Sequence, residues 1–285
     1  MRNYEIIMIE TNAKDNLNDV VKTFKDLEND IINTEMCCAC GACIAYCESQ
    51  NFNVIEMEGY IPKFKSKKNA DNCTECGVCY YICPQTSILL EALNTSFSVK
   101  DELGYIINII AAKTTNLAIM KVGQDGGVVS TILSYLFDEQ KIDAAIVSEF
   151  DDEFKPIPKI IFDKKELIKS AGTRYSISSQ ILPLKDINNS FQEILEKKHI
   201  MDVDQLRIAF VGTPCQSRAI NKMKFLSIKP AHIIEYVISL FCFENFDYEK
   251  LMEVIKTKTK IEPSNIKKVN IKKNFFVFSK DNEQA

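Results

Sequence analysis

Histidine and arginine are scarce in this 285-residue sequence, which has two histidines and four arginines. His199 and His232 lie outside every motif described below. Because a general acid–base mechanism needs a positioned titratable pair and none stands out, the sequence predicts no catalytic residue.

Long hydrophobic runs are also missing. The longest apolar stretch, residues 236–243, is well short of the roughly 20 residues that a membrane span needs. The N-terminus does not resemble a secretory signal. A net charge of −4 without a basic and aromatic cluster argues against a nucleic-acid partner. We expect a cytoplasmic protein without direct membrane insertion, peripheral at most to a membrane complex through partner subunits.

Cysteine is the residue that the sequence has in excess, with eleven copies. Residues 37–47 and 73–83 both read C-x2-C-x2-C-x3-C, and Pro84 follows the second run. The first three thiolates of such a run hold one iron–sulfur cluster, and the fourth belongs to the cluster of the other run. We predict two 4Fe-4S clusters, one held by Cys37, Cys40, Cys43 and Cys83 and the other by Cys73, Cys76, Cys79 and Cys47.

Zinc and disulfides are the alternative uses of these thiols. Zinc takes four ligands and would leave several of the eight sulfurs idle. Disulfides are disfavoured without an export signal. Gly41 and Gly77 follow the second cysteine of each run, where we expect positive φ or a close backbone approach. Cys38 is surplus to the pattern and is predicted to be a structural thiol.

The first 118 residues divide at the cysteine runs. We predict an N-terminal extension (1–35), with a strand at 6–9 and an amphipathic helix over 17–31, and then a ferredoxin-type domain (36–93). Within that domain we expect a hairpin near Gly59 and a strand at 87–90, and after it a buried strand at 105–110. The helix is predicted to cover the cluster domain, or else to dock a partner; the apolar positions are Leu17, Val20, Val21, Phe24, Leu27 and Ile31.

From residue 119 onward, strand and helix signals alternate. A helix over 128–137, strands at 144–147, 159–162, 207–211, 233–242 and 274–278, and helices at 164–170 and from 216 are predicted. Alternation of this kind indicates an α/β layer with a largely parallel sheet. The fold class is therefore an α+β ferredoxin-like bi-cluster domain followed by an α/β domain.

Three short stretches of this second part carry possible chemistry, each with a plainer alternative. The loop 123–127 precedes a helix and suits an anion, or is a simple glycine turn. Arg174, after Gly172, suits a bidentate clamp for a phosphate or a carboxylate, or is a solvated arginine after a helix. Cys215 begins a helix whose N-terminus favours an ionised thiol; it could ligate iron, act near a flavin, or be buried.

These stretches together resemble the family of coenzyme F420 hydrogenase and dehydrogenase β subunits. The motifs are Gly123-Gln124-Asp125-Gly126-Gly127-Val128-Val129, Ala171-Gly172-Thr173-Arg174-Tyr175, Thr213-Pro214-Cys215-Gln216 and Phe241-Cys242-Phe243-Glu244-Asn245-Phe246. The resemblance covers about residues 105–280. Members with an N-terminal double-cluster domain resemble the whole arrangement from residue 36.

The resemblance implies an F420-dependent oxidoreductase whose α/β domain, residues 105–285, binds FAD. Hydride would pass between coenzyme F420 and FAD, and single electrons through the two clusters to other redox subunits. It also implies that Cys215 and Cys242 lie near a family cluster. The residues implied for the flavin site are Lys121, Gly123, Gln124, Asp125, Gly126, Gly127, Gly172, Thr173, Arg174 and Tyr175.

The sequence departs from the family pattern at its end, which lacks the usual further C-x2-C pair. We therefore expect a C-terminally short flavin domain, and either a separate polypeptide that supplies the missing segment, loss of that cluster, or a fragment. Two other functions stay open: a non-catalytic ferredoxin-type adapter, and a flavin subunit that uses a different donor.

Overall fold

A computed structural model describes residues 21–99, 104–271 and 274–281. The strand predicted at 6–9 and the helix positions Leu17 and Val20 lie outside these ranges. In the described part of the chain, no helix is both long and apolar enough to cross a membrane.

The N-terminal part consists of short helices around one hairpin. Phe24, Leu27 and Ile31 are buried against the cysteine runs, which confirms the predicted amphipathic helix from residue 24 onward; residues 21–23 are not helical, and Val21 is exposed. The hairpin predicted near Gly59 is also present. The elements are α1 (Phe24–Leu27), a π-helical turn (Glu28–Ile32), α2 (Ala42–Ser49), β1 (Ile55–Glu58), β2 (Ile61–Phe64), α3 (Lys67–Asp71), α4 (Val78–Tyr81) and α5 (Leu90–Ser96).

The remaining elements are helices and strands that alternate one for one over residues 192–271, as predicted, but not in the part before them. They are α6 (Leu117–Val122), α7 (Val128–Asp138), β3 (Ala144–Phe150), β4 (Pro156–Ile161), α8 (Leu167–Ser170), α9 (Ile187–Ser190), α10 (Gln192–Lys198), β5 (Ile208–Gly212), α11 (Pro214–Phe225), β6 (Ile234–Ser239), α12 (Tyr248–Thr259), β7 (Ile266–Ile271) and β8 (Phe275–Ser279). A 3-10 turn, Leu182–Asp186, precedes α9.

The main sheet has the order β4-β3-β5-β6. Strands β3, β5 and β6 run parallel, and β4 pairs antiparallel with β3 at one edge, which confirms a largely parallel sheet. Every residue of β5 is buried, as expected for a strand covered on both faces. Strands β7 and β8 form a separate antiparallel pair.

One hydrophobic core joins the cysteine runs to this sheet. Ala42 and Ile82, from the two runs, belong to the same buried cluster as Ile146 of β3 and Phe210 of β5. The turn Leu182–Asp186 contacts α2 directly. The candidate cluster ligands are therefore held by a core that the α/β part also uses.

Two predicted strands are wrong. Residues 105–110 are exposed and irregular, and Leu90 begins α5 after Leu89 adopts a positive φ of 63°. A short apolar run does not by itself distinguish a strand from a helix or an exposed segment. The strand predicted at 233–242 is shorter than expected, because residues 240–243 leave the sheet and are exposed.

Asp143 links the start of β3 to the segment around Lys198 and Arg207. It is 2% exposed and accepts hydrogen bonds from Lys198 Nζ at 2.6 Å and from the Arg207 backbone N–H at 3.0 Å. Burial raises the pKa of Asp143, but the hydrogen bonds from Arg207 and Lys198 outweigh it and hold the pKa below its ordinary value.

We predict that Asp143→Ala lowers the free energy of unfolding by about 2 kcal/mol at pH 7, because charged hydrogen bonds to a buried carboxylate are lost. A carboxyl group with a depressed folded-state pKa contributes stability above its unfolded pKa. That contribution is lost as the pH falls through the folded value. The difference between wild type and variant should therefore shrink below about pH 3.9, as measured by thermal unfolding.

Asp138→Ala is the control, because Asp138 pairs with Lys164 on the surface, where both side chains are about half exposed. An exposed pair contributes little, so this variant should unfold like the wild type. Equal losses in both variants would contradict the role given to Asp143.

Candidate functional site

Five cysteines from the two runs line one cavity, which we call site 1. They are the four predicted ligands Cys37, Cys40, Cys43 and Cys83, and the surplus Cys38. Its empty volume is about 360 Å³, part of it open to solvent, and Leu27, Ile31, Pro62 and Pro84 are among its other walls. The predicted ligand set of the first cluster thus faces a single space.

The other four cysteines line a second cavity, site 2, with Cys47, Cys73, Cys76 and Cys79 in its wall. Its empty volume is about 380 Å³. Cys76 is exposed, whereas Cys40 and Cys43 of site 1 are buried. Site 2 therefore contains the one exposed cysteine of the eight predicted ligands.

Helix α2 places the two sites side by side. It carries Cys43 of site 1 and Cys47 of site 2, four residues apart and therefore on one face at a rise of about 6 Å. Helix α4 carries Cys79 of site 2, and Cys83 of site 1 follows shortly after its end. Each run thus sends its fourth cysteine to the site of the other run.

Gly41 and Gly77 begin these helices. Their φ angles are 86° and 74°, which confirms the positive φ predicted there. A Cβ on Gly41 would lie 2.7 Å from Cγ of Leu182. The first ligand loop therefore fits against the turn Leu182–Asp186 only because residue 41 has no side chain.

Burial affects the thiols of both sites. It raises the pKa of Cys37, Cys43 and Cys83 in site 1, and in site 2 it raises the pKa of Cys47 to about 11. Because the thiolate is the metal ligand, iron binding at these positions must release protons. No three His, Cys, Asp or Glu residues of the described chain lie close enough together for a single metal ion.

Cys215 lies against the first cysteine run. Thr213 and Gln216 form a capping box at the start of α11, with Gln216 Oε1 accepting from the Thr213 N–H at 2.9 Å. The Cys215 thiol is hydrogen-bonded to that of Cys38, and this contact together with burial raises the pKa of Cys215. The ligation of iron by Cys215 stays a prediction.

Lys222 and Arg218 of α11 reach the second cysteine run. Lys222 is fully buried, and its Nζ donates to the Cys83 carbonyl oxygen at 2.6 Å. Arg218 Nη1 donates to the Pro84 carbonyl oxygen at 3.3 Å. Burial lowers the pKa of Lys222 to about 8. Both contacts tie the α/β part to the residues beside site 1.

The glycine loop 123–127 lies before α7, as predicted. Gly127 has a φ of 65° and caps the helix without a side-chain hydrogen bond, so the first N–H groups of α7 have no capping side chain. A Cβ on Gly126 would lie 2.9 Å from the Ala112 carbonyl oxygen. The loop can therefore pass this closely only with glycine.

The structure brings this loop next to residues 172–175. Gln124 Nε2 donates to Asn270 Oδ1 at 2.6 Å and lies 3.4 Å from the Tyr175 hydroxyl. The Tyr175 hydroxyl also accepts from the Ile271 N–H at 3.0 Å. Gln124 Oε1 is buried without a hydrogen-bond partner among the described residues. It is an acceptor that a ligand can use.

Arg174 is occupied by its own chain. Its Nη atoms donate to the carbonyl oxygens of Ala171, Gly172 and Ser148, and its guanidinium lies 4.3 Å from the ring centre of Phe150. It is therefore neither a solvated arginine nor positioned as the predicted phosphate clamp. It holds the turn at 171–175 in shape.

The other predicted cofactor residues are on the surface. Lys121, Asp125 and Thr173 are exposed. Cys242 is exposed too, in a loop with Phe241 and Phe243. Cys242 is close enough to Cys215 for the two thiols to interact electrostatically.

Sequence reasoning missed Lys222 and the partner of Cys38. A lysine on a helix normally predicts a solvated position, so nothing in the sequence marked Lys222. Cys38 did carry a signal, because it is surplus to the cysteine pattern. Its partner lies 177 residues away in the chain, and only the fold identifies it.

Family models match both parts of the chain. The model described as "Coenzyme F420 hydrogenase/dehydrogenase, beta subunit N-term" matches residues 109–185, and that of the C terminus of this subunit matches 205–285. A "4Fe-4S dicluster domain" model matches residues 13–88.

Three known proteins are similar over different lengths. An uncharacterized protein of Methanocaldococcus jannaschii is 30% identical, over 88% of this chain and 71% of its own. The coenzyme F420-dependent sulfite reductase of the same organism is 29% identical, over 86% of this chain and 36% of its own. A chain of the F420-reducing [NiFe] hydrogenase complex of Methanosarcina barkeri is 28% identical with a TM-score of 0.52, over 61% of this chain and 57% of its own.

We predict that Gly41→Ala lowers the iron content of anaerobically purified protein by about half. The added Cβ would displace Leu182 or the first ligand loop, and site 1 would lose its shape. The measurement is iron and acid-labile sulfide per chain.

Gly59→Ala is the matched control, because Gly59 has a φ of +60° with nothing within 4 Å of an added Cβ. It has the same unfavourable backbone conformation without the collision. Full iron in both variants would show that the packing against Leu182 is dispensable.

Proposed function

Since the chain belongs to the coenzyme F420 hydrogenase/dehydrogenase β subunit family and carries a 4Fe-4S dicluster domain, we propose that it is an iron–sulfur flavoprotein subunit. It transfers hydride between coenzyme F420 and FAD, and single electrons through two 4Fe-4S clusters to partner redox subunits. The observation that carries this proposal is the contact between site 1 and the α/β part. Lys222 of α11 donates to the Cys83 carbonyl oxygen, and the cysteine runs share a buried core with the main sheet.

The proposed cluster ligands are the cysteines of the two sites. Site 1 holds one cluster with Cys37, Cys40, Cys43 and Cys83, and site 2 holds the other with Cys47, Cys73, Cys76 and Cys79. Four cysteine sulfurs around one space are the donor set that a 4Fe-4S cluster requires. The apolar walls of both cavities disfavour free, hydrated thiolates, and so favour cysteines that are either protonated or bound to metal.

The residues around the glycine loop fit FAD. The start of α7 offers N–H groups and the positive end of a helix dipole to the pyrophosphate, next to glycines that leave no room for a side chain. Gln124 Oε1 offers an acceptor to a ring N–H. When bound, FAD supplies the exchange between two-electron hydride chemistry and one-electron transfer. Arg174 and Tyr175 position the loop rather than touch the phosphates.

We keep the division into an extension (1–35), a ferredoxin-type domain (36–93) and an FAD domain (105–285) as part of the proposal. The relatives are named as whole enzymes or complexes, and this chain spans 36% and 57% of two of them. We therefore propose partner subunits, one of which supplies the remaining ligands of a cluster near Cys215 and Cys242. We also propose a cytoplasmic location.

The direct test is an anaerobic titration with reduced F420, with flavin and cluster absorbance recorded together. We expect the flavin bands to bleach first and the cluster bands to follow. Clusters that respond to dithionite but not to reduced F420, in protein with bound flavin, would indicate a different donor. Clusters in protein without flavin would indicate the non-catalytic adapter.

We predict that Gly127→Ala lowers FAD per chain several-fold while iron is unchanged. An added Cβ would lie 2.8 Å from Cγ2 of Ile119, so the glycine loop must shift relative to the N–H groups at the start of α7. The measurement is flavin fluorescence after acid release.

The control is Gly104→Ala, because Gly104 has a φ of +83° with nothing within 4 Å of an added Cβ. It should retain FAD. Equal FAD in both variants would remove the glycine loop from the proposed flavin site.

A further inference from the structure

Lys222 is fully buried, which is unusual for a lysine. Its Nζ lies 2.6 Å from the Cys83 carbonyl oxygen, 2.9 Å from the Thr86 carbonyl oxygen and 3.1 Å from Thr86 Oγ1. An ammonium group has three N–H donors, and here it has three acceptors. The geometry is that of a protonated lysine whose donors are all used.

The Cys83 carbonyl oxygen that Lys222 contacts belongs to a cysteine that lines site 1, so the ammonium group lies beside this cavity. Arg218 adds a second positive group one helical turn earlier, with its Nη1 on the Pro84 carbonyl oxygen. Both side chains come from α11, so the α/β part supplies positive charge to site 1.

Site 2 has a different electrostatic environment. Of the residues that line the two cavities, Glu75 is the one with a charged side chain, and it belongs to site 2. The Glu48 carboxylate also acts on Cys47, although Lys65 Nζ pairs with it at 2.8 Å. Cys76 opens the site to solvent. Site 2 thus has acidic groups beside it, where site 1 has one buried lysine and one exposed arginine.

We propose that Lys222 sets the reduction potential of the site 1 cluster above that of the site 2 cluster. This inference rests on the proposed function, since it requires clusters in both sites. Each cluster gains one electron and one negative charge when it is reduced, and a fixed cation stabilises the reduced form more than the oxidised one. The donated hydrogen bonds act in the same direction, because they draw electron density from the Cys83 peptide.

A consequence is that an electron in the pair of clusters resides mainly at site 1, next to the α/β part. Site 2, with its exposed Cys76, is then the low-potential cluster at the surface. Lys222 is a positioning residue in this account, since it touches the backbone of a ligand and not the cluster or the substrate.

The test is a potentiometric titration at pH 7, followed by electron paramagnetic resonance, on Lys222→Met, Lys222→Arg and Lys224→Met. Lys224 is the matched control, because it lies on the same helix and its Nζ donates to the Ile234 carbonyl oxygen of β6. Iron and sulfide are measured first, and protein without two clusters would contradict the proposed function rather than this inference.

With both clusters present, we expect the higher of the two midpoint potentials to fall in Lys222→Met. The ratio of reduced to oxidised cluster at a fixed potential should fall about tenfold, which is 59 mV for a one-electron couple. Lys222→Arg and Lys224→Met should keep the wild-type value. An unchanged higher potential, or an equal fall in Lys224→Met, would overturn the inference.

Arg218→Gln provides a second reading if Lys222→Met does not fold. Arg218 is exposed and contributes one long hydrogen bond, so its removal should leave the fold intact. It should lower the same midpoint potential by a smaller amount. No shift in Arg218→Gln, with Lys222→Met unfolded, would also count against the inference.

Discussion

The packing of the first cysteine run against the sheet core is the constraint on which the rest of the structure depends. Helix α2 carries a cysteine of each site, and its apolar side shares a core with β3 and β5. Because α2 cannot move without opening that core, the two sites keep a fixed separation from each other and from α11. Rigid spacing of this kind is what electron transfer between neighbouring cofactors needs.

Charge then distinguishes two sites that are alike in their ligands. The motif is the same in both runs, and its eight cysteines are partly or fully buried except for the exposed Cys76. What differs is the neighbour: α11 reaches site 1 with Lys222 and Arg218, whereas site 2 faces Glu75 and solvent. Burial of Lys222 is tolerated because the Cys83 and Thr86 oxygens satisfy all its donors.

Much of this arrangement was readable in the sequence, since the cysteine spacing, Gly41, Gly77 and the β/α alternation each reflect a local physical requirement. The failures have a common cause. Residues 105–110 and 87–90 are apolar, but only the tertiary structure decides whether an apolar segment joins a sheet. Cys215 and Lys222 owe their states to partners that are distant in sequence. Arg174 is held by nearby carbonyl oxygens together with Ser148 and Phe150 of β3. Local pattern therefore identified the cysteines that line the two cavities, but not the contacts that change the charge and burial around them.

The central claim is that the cysteines of sites 1 and 2 hold two separate iron–sulfur clusters beside an F420-linked α/β domain. Anomalous diffraction at the iron edge, on crystals grown without oxygen, tests this most directly. The account predicts two strong peaks, one within each ring of four cysteines, with Cys83 in the first and Cys47 in the second. A single peak, or signal at the zinc edge instead, would contradict it.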